Sequence, residues 1–171
     1  MSTKITSYPG HEITPEELKQ GKYLDIVEKF NPRYSWAAGV AMSRFLNELK
    51  KGRIIGRKCS RCARILVPPR MYCEQCFRPT DEWAYVKDTG RIATYSISHV
   101  AADASRLKTP LPVGVVEIDG ASPGMGMLHH LGEVDLSQVK IGMRVQAVWK
   151  PSREREGAIT DIRYFKPAGE E

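Results

Sequence analysis

The chain is poor in cysteine, histidine and long apolar runs, and each shortage narrows what it can be. Its 171 residues include four cysteines and four histidines. No stretch approaches the roughly 18 consecutive apolar residues of a membrane-spanning helix, so no helical membrane protein is expected. The start, Met1-Ser2-Thr3-Lys4, leads into polar residues rather than an apolar run. No secretory leader is expected, and the expected compartment is the cytoplasm. There is no serine elbow, no Walker-type loop and no paired-carboxylate pattern. His129 and His130 are adjacent; in a strand they would point to opposite faces and could not grip one metal without a bulge. Acids are missing from one window. From Lys50 to Arg70 there are eight Lys or Arg and no Asp or Glu.

All four cysteines lie in that neighbourhood. Cys59-x-x-Cys62 is followed, ten residues on, by Cys73-x-x-Cys76. Two such pairs make two tight knuckles that a hairpin brings together as a tetrahedral four-sulfur site. Four protein thiolates fill the coordination sphere, so the spacing describes a closed, structural metal rather than a catalytic one with an open position. Zinc is the expected ion; an iron site of the rubredoxin kind uses the same geometry. Disulfides are the competing reading, disfavoured by the missing leader and by a length that needs no crosslinked frame.

Formal net charge is +6 and the isoelectric point about 9.2. Three readings compete for the basic run. The cations neutralise the negative sulfur site, or they bind a phosphorylated small molecule such as the 3′-phospho-ADP end of coenzyme A, or they follow a nucleic-acid backbone.

Along the chain, the first dozen residues read as a loose arm. Thr14-Pro15-Glu16-Glu17 opens a short helix ending near Gly21, with Thr14 as cap, Pro15 first in the helix and Glu17 three residues after the cap. A second helical stretch runs from Tyr23 to Phe30 and breaks at Asn31-Pro32. Ser35 to Lys50 predicts a stronger helix, with Ser35 as a possible cap and Trp36, Val40, Phe45, Leu46 and Leu49 on its apolar face. Gly52 sits just past its end. Its apolar face must pack on the rest of the chain or on a partner protein. Residues 53–80 form the ribbon, where Pro68-Pro69 forbid a central strand.

From Glu82 onward the pattern is that of strands: Trp83–Val86, a turn at Asp88-Thr89-Gly90, Arg91–Val100, Val113–Ile118 and Met125–Leu131. Arg144–Lys150 and Ala158–Phe165 then form a hairpin across the charged loop Pro151–Gly157. In Arg91–Val100, Ile92, Thr94, Ser96 and Ser98 alternate with Ala93, Tyr95, Ile97 and His99. Val134–Gly142 has room for a short helical turn, and Gly120–Gly126 reads as a turn rather than a phosphate loop. The economical fold is mainly β with N-terminal helices: a rubredoxin-like zinc ribbon followed by a five-stranded OB-type barrel. The expected segments are 1–52 (arm and docking helices), 53–80 (ribbon), 81–167 (barrel) and 168–171 (disordered tail).

Several residues together resemble a family. They are Cys59-Ser60-Arg61-Cys62, Pro68-Pro69-Arg70, Cys73-x-x-Cys76, Gly90, Ser98-His99-Val100, Pro112, Val116-Glu117 and Ile141-Gly142-Met143-Arg144-Val145. In that order, across Arg53 to Lys166, they resemble the acyl-CoA-associated zinc-ribbon plus OB-fold family. The resemblance implies a small non-catalytic subunit beside a thiolase-type catalytic one, as in benzoylsuccinyl-CoA thiolase or complexes that make acetoacetyl-CoA. CoA or acyl-CoA would be a ligand of the complex, and Lys58, Arg64 and Arg70 the residues placed to meet its phosphates, arginine through bidentate contacts. Two positions depart from the pattern: Ala63 stands where the family has glycine, and Glu74 where it has proline.

Thiolase chemistry needs a nucleophilic thiolate, a base and an oxyanion hole. With every cysteine assigned to metal, no thiol remains for it. His99 reads as a hydrogen-bonded barrel histidine. The alternative function is a free single-stranded nucleic-acid-binding module. It is disfavoured because the stacking aromatics it needs are few: Tyr95, Trp149, Tyr164 and Phe165.

Overall fold

The computed structural model describes residues 13–23, 35–101, 103 and 105–169. Most of the helix expected over Tyr23–Phe30 lies outside the described residues, as do the first twelve residues and the last two. Backbone contacts divide the chain into two units, Met1–Trp36 and Ala37–Glu171.

In the first unit, α1 (Pro15–Lys19) is a single five-residue turn of helix. It forms as its first residues dictate. The Thr14 hydroxyl accepts from the Glu17 N–H at 3.3 Å, and the Glu17 carboxylate accepts from the Thr14 N–H at 3.1 Å. This is a capping box with proline at the first helical position.

The second unit opens with α2 (Gly39–Lys50). It begins four residues later than the Ser35 start that periodicity predicts. Gly39 has φ +70°, which no continuous right-handed helix passes through. Ser35 therefore caps nothing, and Trp36 and Val40 are 81% and 68% exposed. The buried face is Ala41, Phe45, Glu48 and Leu49. The other end is as expected: Gly52, at φ +73°, donates its N–H to Leu49 and terminates the helix.

Three strands follow the helix in the ribbon. β1 (Ile54–Lys58) lies between β2 (Ile65–Leu66) and β5 (Glu82–Val86), both antiparallel to it. β2 is an edge strand, which suits the Pro68-Pro69 beside it. β3 (Tyr72–Cys73) and β4 (Arg78–Pro79) make a separate small hairpin. The stretch Trp83–Val86, read from the sequence with the later strands, is thus part of the ribbon sheet, pairing along β1 from Lys58↔Glu82 to Ile54↔Val86.

The barrel is β6 (Thr89–Val100), β7 (Arg106–Ile118), β8 (Gly126–His130), β9 (Arg144–Trp149) and β10 (Ile162–Pro167). Their order is β10-β9-β6-β7-β8, and a parallel bridge between Leu131 and Phe165 joins the two ends. Thr89 and Gly90 belong to β6 rather than to a turn. Gly90 is needed there because a Cβ would lie 2.1 Å from the Glu117 carbonyl oxygen. Ala158–Asp161, expected as strand, is instead loop and a 3-10 turn (Ile159–Asp161). A second 3-10 turn, Leu136–Gln138, falls in the Val134–Gly142 segment.

One hydrophobic core serves the whole second unit. Phe45 and Leu49 from α2 and Ile54, Ile55 and Val67 from the ribbon join Ile92, Val116, Val145, Ile162 and Phe165 of the barrel. So α2 packs on the rest of the chain. The Gly120–Gly126 segment is a turn that docks on β2: Ser122 donates its N–H to Ile65 O at 3.0 Å, and its hydroxyl accepts from Ile65 N–H at 2.9 Å. No helix among the described residues is long and apolar enough to cross a membrane.

Candidate metal centre and the surfaces around it

The four sulfurs converge. Cys59, Cys62, Cys73 and Cys76 place their Sγ atoms within 4.8 Å of one another, with Cys62 and Cys73 3.6 Å apart. Zinc–sulfur bonds of about 2.3 Å put the corners of a tetrahedron ~3.8 Å apart. The donor set, four soft thiolates at that spacing, fits a structural zinc; iron would fit the same cage.

The knuckles close with different backbone bonds and share one left-handed step. Cys59 N–H donates to Arg64 O at 2.9 Å, and Phe77 N–H donates to Cys73 O at 2.8 Å. Each pair is followed by a residue in the left-handed region, Ala63 at φ +57° and Phe77 at φ +50°. The missing family glycine at 63 is therefore a real strain, since a Cβ in that region is sterically disfavoured. Backbone N–H groups of Cys76 and Gln75 pull the Cys73 thiol down to about 7, while the neighbouring Cys62 and burial push Cys76 up to about 12. A metal ion replaces the protons these thiols compete for, and supplies a crosslink between the knuckles.

Acids outside the basic run answer the acid-free window. Glu48 on α2 takes Lys51 at 3.0 Å and Arg53 at 2.6 Å, and Tyr85 donates its hydroxyl to it. Burial acts to raise the Glu48 pKa, but these two cations outweigh it and hold the carboxyl below its ordinary value. Lys58 pairs with Glu82 at 3.2 Å. Arg64 pairs with Glu74, and Arg70 reaches the same carboxylate at 3.5 Å. Glu74, the departure from proline, thus ties the two knuckles together. Its own backbone N–H and Arg64 hold its carboxyl below the usual range. Arg57 is buried: its Nε donates to the Thr80 hydroxyl at 3.0 Å, another of its nitrogens donates to Thr80 O, and its guanidinium stacks on Trp83. Thr80 donates in turn to Arg70 O at 2.7 Å. Of the phosphate-contact candidates, Arg64 and Arg70 are brought together around Glu74, and Lys58 is paired elsewhere. The acids that complete these pairs lie outside the basic run, where a local charge count does not find them.

The barrel residues also find their places. His99 lies in barrel strand β6, where the sequence reading expects a hydrogen-bonded barrel histidine, and it is exposed there at a register irregularity between Ser98 and Val100. His129 and His130 point to opposite sides, His129 buried and His130 exposed. The His130 N–H donates to His129 Nδ1 at 2.9 Å, so the proton sits on Nε2, 3.3 Å from the Ile159 carbonyl. Burial keeps this imidazole neutral by lowering its pKa. The aromatics that would stack on bases are mostly committed. Phe165 is buried, Trp149 donates to Asp88 at 3.1 Å, and Tyr164 donates to Glu133.

Fold and centre define the class: a zinc-ribbon protein whose ribbon shares its core with an OB-fold barrel. The matching family models are the ChsH2 rubredoxin-like zinc ribbon domain over residues 46–82 and the ChsH2 C-terminal OB-fold domain over residues 83–150. A DUF35 domain-containing scaffold protein of Methanocaldococcus jannaschii is 31% identical over 67% of this chain and 81% of its own. A relative of the same description from Methanothermobacter thermautotrophicus is 28% identical, over 67% of this chain and 86% of its own. The chain belongs to the DUF35 family. A crystal structure of a DUF35 protein of unknown function from Sulfolobus solfataricus superposes with a TM-score of 0.54 at 31% identity, over 64% of this chain and 78% of the other. The Ltp2–ChsH2(DUF35) aldolase superposes at 0.56 with 18% identity, over 79% and 98%, a likeness of fold.

Proposed function

We propose that this chain is a non-catalytic, zinc-binding accessory subunit of a thiolase-type acyl-CoA enzyme, and that it contributes to CoA binding. The observation that carries this reading is the metal centre, which takes every thiol the chain has. Thiolase chemistry needs a nucleophilic thiolate, so that step falls to another subunit. The family supports it: the archaeal relatives bear the description scaffold protein, and ChsH2 occurs in an aldolase assembly.

The second knuckle offers a docking feature. Phe77 is 87% exposed, and Tyr72 on the same small hairpin is exposed too. Phe77 has φ +50°, so an aromatic there has neither packing nor backbone ease, which fits an anchor for a partner pocket. Because α2 packs on the chain itself, the part of the 1–52 segment ahead of it is what remains for docking. CoA phosphates would meet Lys58, Arg64 and Arg70 by exchanging with Glu82 and Glu74. Glu74→Gln should therefore tighten CoA binding by the complex.

The test is purification from native cells in mild salt, with mass spectrometry of what comes along. A thiolase-type protein in near-stoichiometric amount, lost on Phe77→Ala, supports the reading. An aldolase in its place keeps the accessory role and replaces the enzyme. Co-purifying nucleic acid, or no partner at all, overturns it in favour of a single-stranded nucleic-acid-binding module.

A further inference from the structure

The barrel has a cavity that the metal centre and the phosphate-contact candidates do not touch. It lies where β8 and β10 part beyond the Leu131–Phe165 bridge, and its volume is about 530 Å³, within the size class of small-ligand sites. Val113, Leu128, Ile159 and Ile162 give it apolar walls, and Lys150, Thr160, His130 and Arg163 give it polar ones. Leu128 is 68% exposed and Ile159 40%, so two large aliphatic side chains stand open to solvent at one place. This is also the region, one strand face and the loop before the last strand, where barrels of this type hold extended ligands.

Its charge is one-sided. Among the described residues, neither Lys150 nor Arg163 has a carboxylate within ion-pair distance. The Lys150 amine reaches only the Thr160 hydroxyl, at 3.5 Å. The two nearby acids are engaged. Asp161 accepts the N–H groups of Glu156, Gly157 and Ala158. Glu133 accepts from Tyr164 and Lys166. No carboxylate lines the cavity. His129 holds the lip in place, since its Nε2 bonds to the carbonyl of Ile159.

We infer that this cavity binds an amphipathic anion, an alkyl or aryl body on Val113, Leu128, Ile159 and Ile162 with its anionic end between Lys150 and Arg163. An apolar wall alone would take a neutral hydrophobe, and two cations alone an inorganic ion. Side by side they select a molecule that is both. The lining carries no Trp, Tyr or Phe, the broad platforms on which bases stack best, and this favours an aliphatic or small aryl body over a stacked base. The inference is independent of the accessory-subunit reading, because it concerns a different face and needs no partner.

Titration calorimetry on the full-length, metal-loaded chain tests it, with octanoate, octyl phosphate, octanol and acetate as probes. Octanoate or octyl phosphate should bind saturably, at least tenfold more tightly than octanol or acetate. The tighter of the two names the head group as carboxylate or phosphate. Amide shifts on binding should centre on Leu128, His130, Thr160 and Arg163. Arg163→Ala, at an exposed strand position that leaves the fold intact, should weaken the anion at least fivefold and leave octanol unchanged. Lys150→Ala provides the second variant. No binding by either anion, equal binding of octanoate and octanol, or shifts centred on the ribbon would each overturn the inference.

Discussion

Ala63 and Phe77 occupy equivalent places in the two knuckles, each with a Cβ in backbone space that suits glycine. Ala63 is exposed, so no packing offsets its strain. Ala63→Gly should stabilise the metal-loaded protein by about 1 kcal/mol, seen as a higher urea midpoint at unchanged metal content. Asp161 is the opposite case, a buried residue that repays its place. Burial acts to raise its pKa, but three backbone N–H groups outweigh it and hold the carboxyl below the ordinary 3.8. A folded pKa below the unfolded one gives stability that is full above the unfolded value and lost as pH falls through it toward the folded value. Asp161→Asn should lower unfolding free energy at pH 7 by about 1–3 kcal/mol. The gap between variant and parent should narrow below about pH 4, measured by urea titration across pH.

At the scale of elements, local chemistry was legible and long-range partnership was not. The capping box of α1, the glycine stop of α2, the cysteine spacing and the barrel strands are written in neighbouring residues. The start of α2 was not, because apolar spacing extends through Trp36 and Val40 while the φ of Gly39 is a backbone property with no hydrophobic signature. The membership of β5 was hidden for another reason. Its alternation is the same whether it pairs with β1 or with the barrel, and only the register from Lys58↔Glu82 to Ile54↔Val86 decides. Beyond Ile92, β6 leaves β9 and runs paired with β7 as far as Val100↔Arg106, and Thr94, Tyr95 and Ser96 there are exposed. The convergence of the four cysteines was legible from their spacing; the acids Glu74 and Glu82 that pair with the ribbon's cations were not, because pairing depends on the hairpins. For α2 the two readings separate cleanly. Phe45→Ala should cost about 3–5 kcal/mol by emptying a fully buried site, and Val40→Ser less than about 0.5 kcal/mol, both measured by denaturant unfolding.

Across the whole second unit, ribbon and barrel are distinct in architecture but continuous in packing. Ile54, Ile55 and Val67 lie in the same cluster as Ile92, Val116 and Phe165, and Ser122 of the barrel bonds to Ile65 of the ribbon. The metal's binding free energy is folding free energy for the knuckles. Through the common core it must also reach strands that hold no ligand. Two independent modules would respond otherwise, with chelation unfolding the ribbon and leaving the barrel's melting unchanged. Removing the metal, or breaking the cage with Cys73→Ser, should therefore lower the melting temperature reported by amide exchange in β7 and β9 together with that of β1. Calorimetry of the metal-loaded protein should show one transition for residues 37–169. If exchange in β7 and β9 kept its protection after chelation while β1 lost it, the shared cluster would be a contact between two separately stable modules, and the metal would stabilise the ribbon alone.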